Sequence, residues 1–148
     1  MSFEKFTSVL ANTSIEFENL KVIQMAQAIK ESGRGASKLF KKHQNPFGMK
    51  YRSEMNGVAT SVRYTDWEGI EDDYCSFETF HDAVRGYWIF IDRNPYRGWR
   101  NYSSEADGYI RHIVFSGYLG GTSQQRENYV RSILRLKKEA QSLLDNAL

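Results

Sequence analysis

The sequence is poor in the features that stabilise or place a small protein from outside its core. Its single cysteine, Cys75, cannot close an intramolecular disulfide and offers no thiol set for a cysteine-rich zinc site, so the fold rests on packing. Only two prolines, Pro46 and Pro95, interrupt the chain. No run approaches the roughly 18 consecutive apolar residues of a membrane span. The first twenty residues carry Glu4, Glu16 and Glu18 and lack the apolar centre of a secretory signal, so the expectation is synthesis in the cytoplasm without a signal peptide. His43, His81 and His112 lie far apart and without spacing such as H-E-x-x-H, so neither a metal nor a cofactor is expected. Charge of one sign is also missing in total: 20 Lys and Arg against 18 Asp and Glu leave +2, which excludes a polybasic arm or an acidic tail. Aromatics, in contrast, are plentiful. Nine Phe, nine Tyr and three Trp in 148 residues exclude a disordered chain and supply a core for one domain, residues 1–148.

Hydrophobic spacing predicts a mostly helical chain. From Phe17 to Glu31, Val22, Ile23, Ala26 and Ile29 form an apolar stripe at helical period, and Gly33 suits a left-handed helix end. A short helix is expected over Ala36 to Lys42, stopped by Asn45-Pro46. Residues 49–79 change character: Val58, Thr60, Val62 and Tyr64 alternate at period two and can face Tyr74 to Phe77, which predicts a β-hairpin. Further helices are predicted over Phe80 to Asp92 and over Ser104 to Gly117, the latter with Ser104 as cap and Ile110, Val114 and Phe115 inward. A last helix follows from Tyr129, Ile133, Leu136, Ala140 and Leu143, spaced four, three, four and three apart. The expected class is therefore α+β, mostly helical, with a small inserted β lobe.

The charge that cancels in total is segregated along the chain. Lys30 to Arg52 holds seven basic residues and one acid, Glu31; Asp66 to Asp82 holds seven acids and no Lys or Arg. These two stretches read as opposed walls of a cleft. Glu31 stands at the carboxyl end of its helix, where the helix dipole disfavours a carboxylate and nearby cations favour one, so burial decides. A carboxyl held protonated near neutral pH is what a general acid needs; a solvated glutamate at a helix end is the competing reading.

Two local motifs add to this. Glu31-Ser32-Gly33-Arg34-Gly35-Ala36-Ser37, followed by Asn45-Pro46-Phe47-Gly48-Met49-Lys50, resembles the E-S-G-W-G-x-S and N-L-F-G-I-K segments of the glucosaminidase family of peptidoglycan hydrolases, glycoside hydrolase family 73. Tyr74 to Trp88 is similar to that family's strand-then-helix segment, and Ser116-Gly117-Tyr118 with Tyr129 to its G-Y-A-T…Y segment. The resemblance implies a lysozyme-like fold that cleaves the β-1,4 bond following N-acetylglucosamine. Residue by residue, it implies Glu31 as general acid, Tyr118 in the catalytic subsite, Tyr129 in the same segment, and Asn45, Phe47 and Gly48 in the turn that shapes the cleft floor. Arg34 replaces the motif's Trp and becomes a candidate substrate contact, and Leu119-Gly120 replaces its Ala-Thr. The second carboxylate of the family comes from the β lobe; Thr65-Asp66-Trp67-Glu68 offers Asp66 and Glu68, with Glu68 favoured. Glu71, Asp72 and Asp73 read as a solvated turn. Trp99 and Tyr102, in an irregular segment, are candidate sugar platforms.

The expected partner is the peptidoglycan glycan strand, and no nucleic acid is expected. The remaining alternatives are a muramidase or lytic transglycosylase of similar fold, or a non-catalytic wall-binding or nucleic-acid-binding module. Without an export signal, an enzyme of this kind would reach the wall as a phage lysin or as an antibacterial effector delivered by a dedicated secretion system. An effector would imply a cognate immunity protein plugging the cleft.

Overall fold

The computed structural model describes residues 2–148. The chain opens with helix α1 (Phe3–Asn12), where the Ser2 hydroxyl accepts from the Lys5 N–H at 3.1 Å and Phe6, Thr7, Leu10 and Ala11 share the buried face. This helix is absent from the expectations above; its signal is the Ser2 cap followed by Phe3, Phe6 and Leu10 at helical spacing. A short turn at Glu18–Leu20 leads into α2 (Lys21–Ser32), the centre of the molecule. Here Ile23, Met25, Ala26, Ala28 and Ile29 are buried along with Gln24 and Gln27, because α1, α5, α6 and α7 pack around the helix. Gly33 ends it in the left-handed conformation, φ 57°, its N–H reaching back to the Ile29 and Lys30 carbonyls.

Helix α3 (Lys38–His43) is capped by Ser37, and the β lobe follows. Strands β1 (Thr60–Thr65) and β2 (Glu71–Ser76) pair antiparallel, with Val62 opposite Tyr74 and Tyr64 opposite Asp72. Residues 49–51 run along the other edge of β2, where the Cys75 N–H donates to the Met49 carbonyl at 2.9 Å and the Tyr51 N–H to Asp73 at 3.0 Å. Glu71, Asp72 and Asp73 thus belong to a strand and not to a turn, since backbone pairing on both edges fixes them. Arg63 bridges Glu71 and Asp73, and Lys50 pairs with Asp72.

Thr79 caps α4 (Phe80–Ile91), whose Phe80, Val84, Tyr87 and Ile91 enter the core. Helix α5 (Ala106–Ile113) passes into a wider π-type turn at Val114–Tyr118. Two local expectations fail here. The N-cap position is Glu105, not Ser104, and Phe115 is 40 % exposed. Ile110, Ile113 and Val114 complete the inward stripe, and Phe115, one residue further, falls about 100° around the axis. The expected last helix is two, α6 (Ser123–Arg135) and α7 (Lys137–Asn146). At Leu136 the N–H bonds Ile133 three residues back, tightening the ladder so that α6 and α7 both reach α2. The architecture is α+β, mostly helical, with one small hairpin lobe, and a single hydrophobic cluster runs from Phe6 to Leu144.

Candidate active site

Glu31 occupies the last turn of α2 and lines a cavity together with residues 47–50 and Arg52 of the β lobe. Its Oε2 accepts from the Tyr129 hydroxyl at 2.6 Å. Behind Tyr129 lies a buried relay of polar groups. Gln27 Nε2 donates to Tyr129 Oη at 3.3 Å, Tyr87 Oη donates to Gln27 Oε1, and Tyr87 and Tyr109 hydroxyls are 2.8 Å apart. Each phenol has one proton, and that of Tyr87 is spent on Gln27, so Tyr109 donates to Tyr87. Every donor in this chain therefore points towards Glu31. Burial is the dominant influence on the Glu31 carboxyl and raises its pKa; the Tyr129 hydrogen bond and the Lys30 charge pull it down. Because Oε2 is committed as an acceptor, a proton on this carboxyl sits on Oε1, the oxygen nearest Gly48.

Gly48 makes that access possible. Its φ is +60°, and a Cβ built on it would lie 3.8 Å from Glu31 Oε1, so any longer side chain would cover the acid. Asn45 sets the turn that carries it. The fully buried Asn45 side chain accepts from the Phe47 and Met49 N–H groups at 3.2 and 3.1 Å and donates to the Met49 and Cys75 carbonyls at 3.0 and 2.9 Å. All four of its hydrogen-bonding capacities are used, and they join the turn to β2. Phe47 is buried between Phe6 and Tyr87.

Above this floor is a cavity of about 460 Å³. Its lining includes Glu31, Phe47, Gly48 and Met49, the largely apolar Phe90, Pro95, Tyr96, Gly117 and Tyr118, and the cationic Lys50, Arg52 and Arg93. Tyr118 packs against Phe90, Tyr96 and Tyr129, and burial pushes its hydroxyl pKa well up, so it is a neutral phenol. Among the described residues, Glu31 is the only acid in the lining. The two opposed charged walls expected from the sequence are absent: the acids of β2 are consumed by Arg63 and Lys50, leaving a cavity of cationic character.

Of the residues singled out in the sequence, Glu31, Phe47, Gly48 and Tyr118 line this cavity, Tyr129 touches Glu31 from behind, and Asn45 braces the floor. Asp66 and Glu68 sit at the hairpin tip, outside the lining. Asp66 Oδ1 accepts from the Glu68 and Ile70 N–H groups, both at 2.9 Å, and so closes the turn, while Glu68 is exposed. Arg34 is held by Glu139 of α7 at 2.8 and 2.6 Å. Trp99 is buried, donates to Asp92 at 3.1 Å, and borders a separate cavity of about 310 Å³ with Trp88 and Arg100. Tyr102 is exposed and stacks on His112, ring centroids 4.5 Å apart, away from Glu31. Arg93 and the Gln27–Tyr87–Tyr109 relay are the site residues that sequence reasoning does not find. The relay's only sequence signal is that polar groups recur on otherwise apolar helices; Arg93, in the loop after α4, has none.

Similarity to known proteins agrees with this geometry. Residues 10–142 match the glucosaminidase family, described as mannosyl-glycoprotein endo-β-N-acetylglucosaminidase. Neither a curated protein nor a solved structure matches the chain. With a match over nearly the whole sequence, which takes in the half-buried Glu31 and the residues that line its cavity, the chain belongs to the glucosaminidase family.

Proposed function

We propose that this protein hydrolyses the β-1,4 bond following N-acetylglucosamine in peptidoglycan, with Glu31 as general acid. The observation that carries the reading is a single carboxyl, desolvated and raised in pKa, that presents Oε1 to a cavity able to receive a sugar. In this reading, Oε1 gives its proton to the glycosidic oxygen as the C1–O bond breaks, and the resulting carboxylate is stabilised by the Tyr129 hydroxyl. Because the lining holds no second acid, the positive charge at C1 is met best by the substrate's own 2-acetamido oxygen, which closes on C1. Water then opens that ring, losing its proton to Glu31 and leaving the β anomer. Tyr118, a neutral phenol in the wall, is suited to hold the acetamido group. A hairpin carboxylate, Glu68 or Asp66, would have to travel from the tip to act directly, the arrangement an inverting enzyme needs.

Peptidoglycan and a mannosyl-glycoprotein share the N-acetylglucosamine linkage, but only the first carries carboxylates throughout. The cation-lined cavity favours the acidic polymer. Digestion of purified peptidoglycan tests the proposal, with wild type and Glu31→Gln compared and products identified by mass and by NMR immediately after cleavage. Expected are N-acetylglucosamine reducing ends of β configuration, abolished in the variant. Anhydro-muramyl ends would overturn the hydrolase reading in favour of a lytic transglycosylase, and an α anomer formed first would overturn acetamido assistance.

A further inference from the structure

Arg93 and Arg52 stand out because they line the cavity of Glu31 without an ion pair within 4 Å, Glu54 acting on Arg93 and Asp72 on Arg52 only from farther away. Arg34, Arg63, Arg100 and Arg111 are each paired with an acid within 4 Å; Arg52 and Arg93 are not, among the described residues. Arg93 lies just past the end of α4. Its guanidinium carbon stacks 3.9 Å from the centroid of Phe90 and 5.7 Å from that of Tyr96, so two aromatic faces fix its plane. One nitrogen, Nη1, donates to the Asn94 carbonyl at 2.9 Å. Nε is buried and has no partner. Leaving a guanidinium N–H desolvated and unpaired is costly, and such a group in a native fold calls for an absent acceptor. Arg52 is exposed and spends one N–H on its neighbour's carbonyl, Tyr51 O, at 2.9 Å. Burial chiefly lowers the Arg93 pKa, with a lesser contribution from the Arg52 charge, while Tyr96 and Glu54 oppose it, so an added anion would favour the charged guanidinium.

We propose that Arg93 and Arg52 form a carboxylate-binding subsite beside Glu31, which reads the acidic substituent of the glycan. The inference rests on the function proposed above and names what that function would recognise. A planar guanidinium offers two parallel N–H donors to a carboxylate, a geometry an ammonium lacks. In peptidoglycan the carboxylate can come from the lactyl ether on the muramic acid ring or from the stem peptide, and the subsite chemistry is the same for both. Placed in one cavity with the general acid, the subsite would fix which of the alternating sugars lies on each side of Oε1, and hence which bond is cut.

Four substrates separate the possibilities: stem-free glycan strands with free lactyl carboxylates, the same strands amidated, stem-bearing strands, and stem-bearing strands with their peptide carboxylates amidated. For wild type, kcat/KM on an acidic substrate is expected to exceed that on its amidated counterpart roughly 10- to 100-fold. Preference within the first pair assigns the lactyl group, and preference within the second pair alone assigns the stem. Arg93→Gln and Arg52→Gln should each bring the ratio close to one, and Arg93→Lys should keep only part of it. Arg52→Gln guards against a folding defect, because its side chain is exposed. A ratio near one in wild type, or a ratio unchanged by both glutamine variants, overturns the subsite. Calorimetric binding of N-acetylmuramic acid and of a stem-bearing muropeptide, each against its amidated counterpart, separates this failure from that of the enzymatic reading. If no strand is cleaved yet either acidic ligand binds more tightly than its amide and Arg93→Gln removes the difference, the subsite stands and the hydrolase does not; equal binding within both pairs overturns the subsite.

Discussion

Replacing Tyr129 by Phe isolates one atom of the relay behind Glu31. The change removes a hydroxyl that donates to Oε2 at 2.6 Å and leaves the buried ring in place. That hydrogen bond favours the ionised carboxyl, so without it the pKa of Glu31 rises further above the ordinary carboxyl range. Two effects follow with opposite appearance. The alkaline limb of the pH–rate profile moves to higher pH, because the acid stays protonated longer. The maximal rate falls, because the carboxylate left after proton transfer has lost its donor. A hydrogen bond to a charged group contributes about 1.5–3 kcal/mol, which corresponds to roughly a 10- to 100-fold loss in kcat if it is fully expressed in the transition state. The assay is initial rates of muropeptide release across pH 4 to 9, with near-ultraviolet circular dichroism confirming that the aromatic packing persists. An alkaline limb that stays fixed or shifts to lower pH, with kcat within twofold of wild type, would refute the assignment of Oε2 as the anchored oxygen.

Two further substitutions probe the frame of the site. Asn45→Ala removes four hydrogen bonds and leaves the Phe47 and Met49 N–H groups without their acceptor, while the Met49 carbonyl keeps the Cys75 N–H, so urea denaturation should show a loss of about 3–4 kcal/mol at roughly 1 kcal/mol per bond, and a loss under 1 kcal/mol would contradict the bracing role. Glu31→Gln should stabilise the protein while abolishing activity. The folded pKa of Glu31 lies above its unfolded value, so the stability this group confers is full in acid and is lost as pH rises through the folded pKa. The two denaturation midpoints should therefore nearly coincide at about pH 4 and separate in favour of the variant towards neutrality, by roughly 1 kcal/mol. A separation that shrinks with rising pH would refute the burial of a charge-averse carboxyl.

Much of this site is written locally in the chain. Glu31, the glycine that ends its helix and the turn at Asn45 to Gly48 are legible because each depends on near neighbours: a helical stripe, a left-handed end, a proline stop. The hairpin is legible for the same reason, as two alternating runs joined by a short turn. What escapes is what tertiary packing decides. Arg93 sits between Asp92 and Asn94 with nothing around it to suggest a site, and it reaches the cavity only because α4 ends against the β lobe side. Glu71, Asp72 and Asp73 look like a solvated turn; their side chains are partly exposed to solvent, but strand pairing fixes them and Arg63 and Lys50 neutralise them on the lobe surface. Trp99 looks like a free platform, yet its indole N–H is tied to Asp92 and its ring is enclosed. The break at Leu136 carries no glycine or proline, so the periodic stripe passes through it unmarked.

The relay from Tyr109 through Tyr87, Gln27 and Tyr129 has a further consequence for turnover. A hydroxyl that must rotate when a neighbouring charge appears contributes a reorganisation cost at the moment of reaction. Here the four donors already face Glu31 before it loses its proton, so the new negative charge arrives in a field that is oriented to receive it. The members of that relay come from α2, α4, α5 and α6. The rigidity of the helical body thus becomes a kinetic property: substitutions in the middle of the core, out of reach of any sugar, are expected to register as changes in rate.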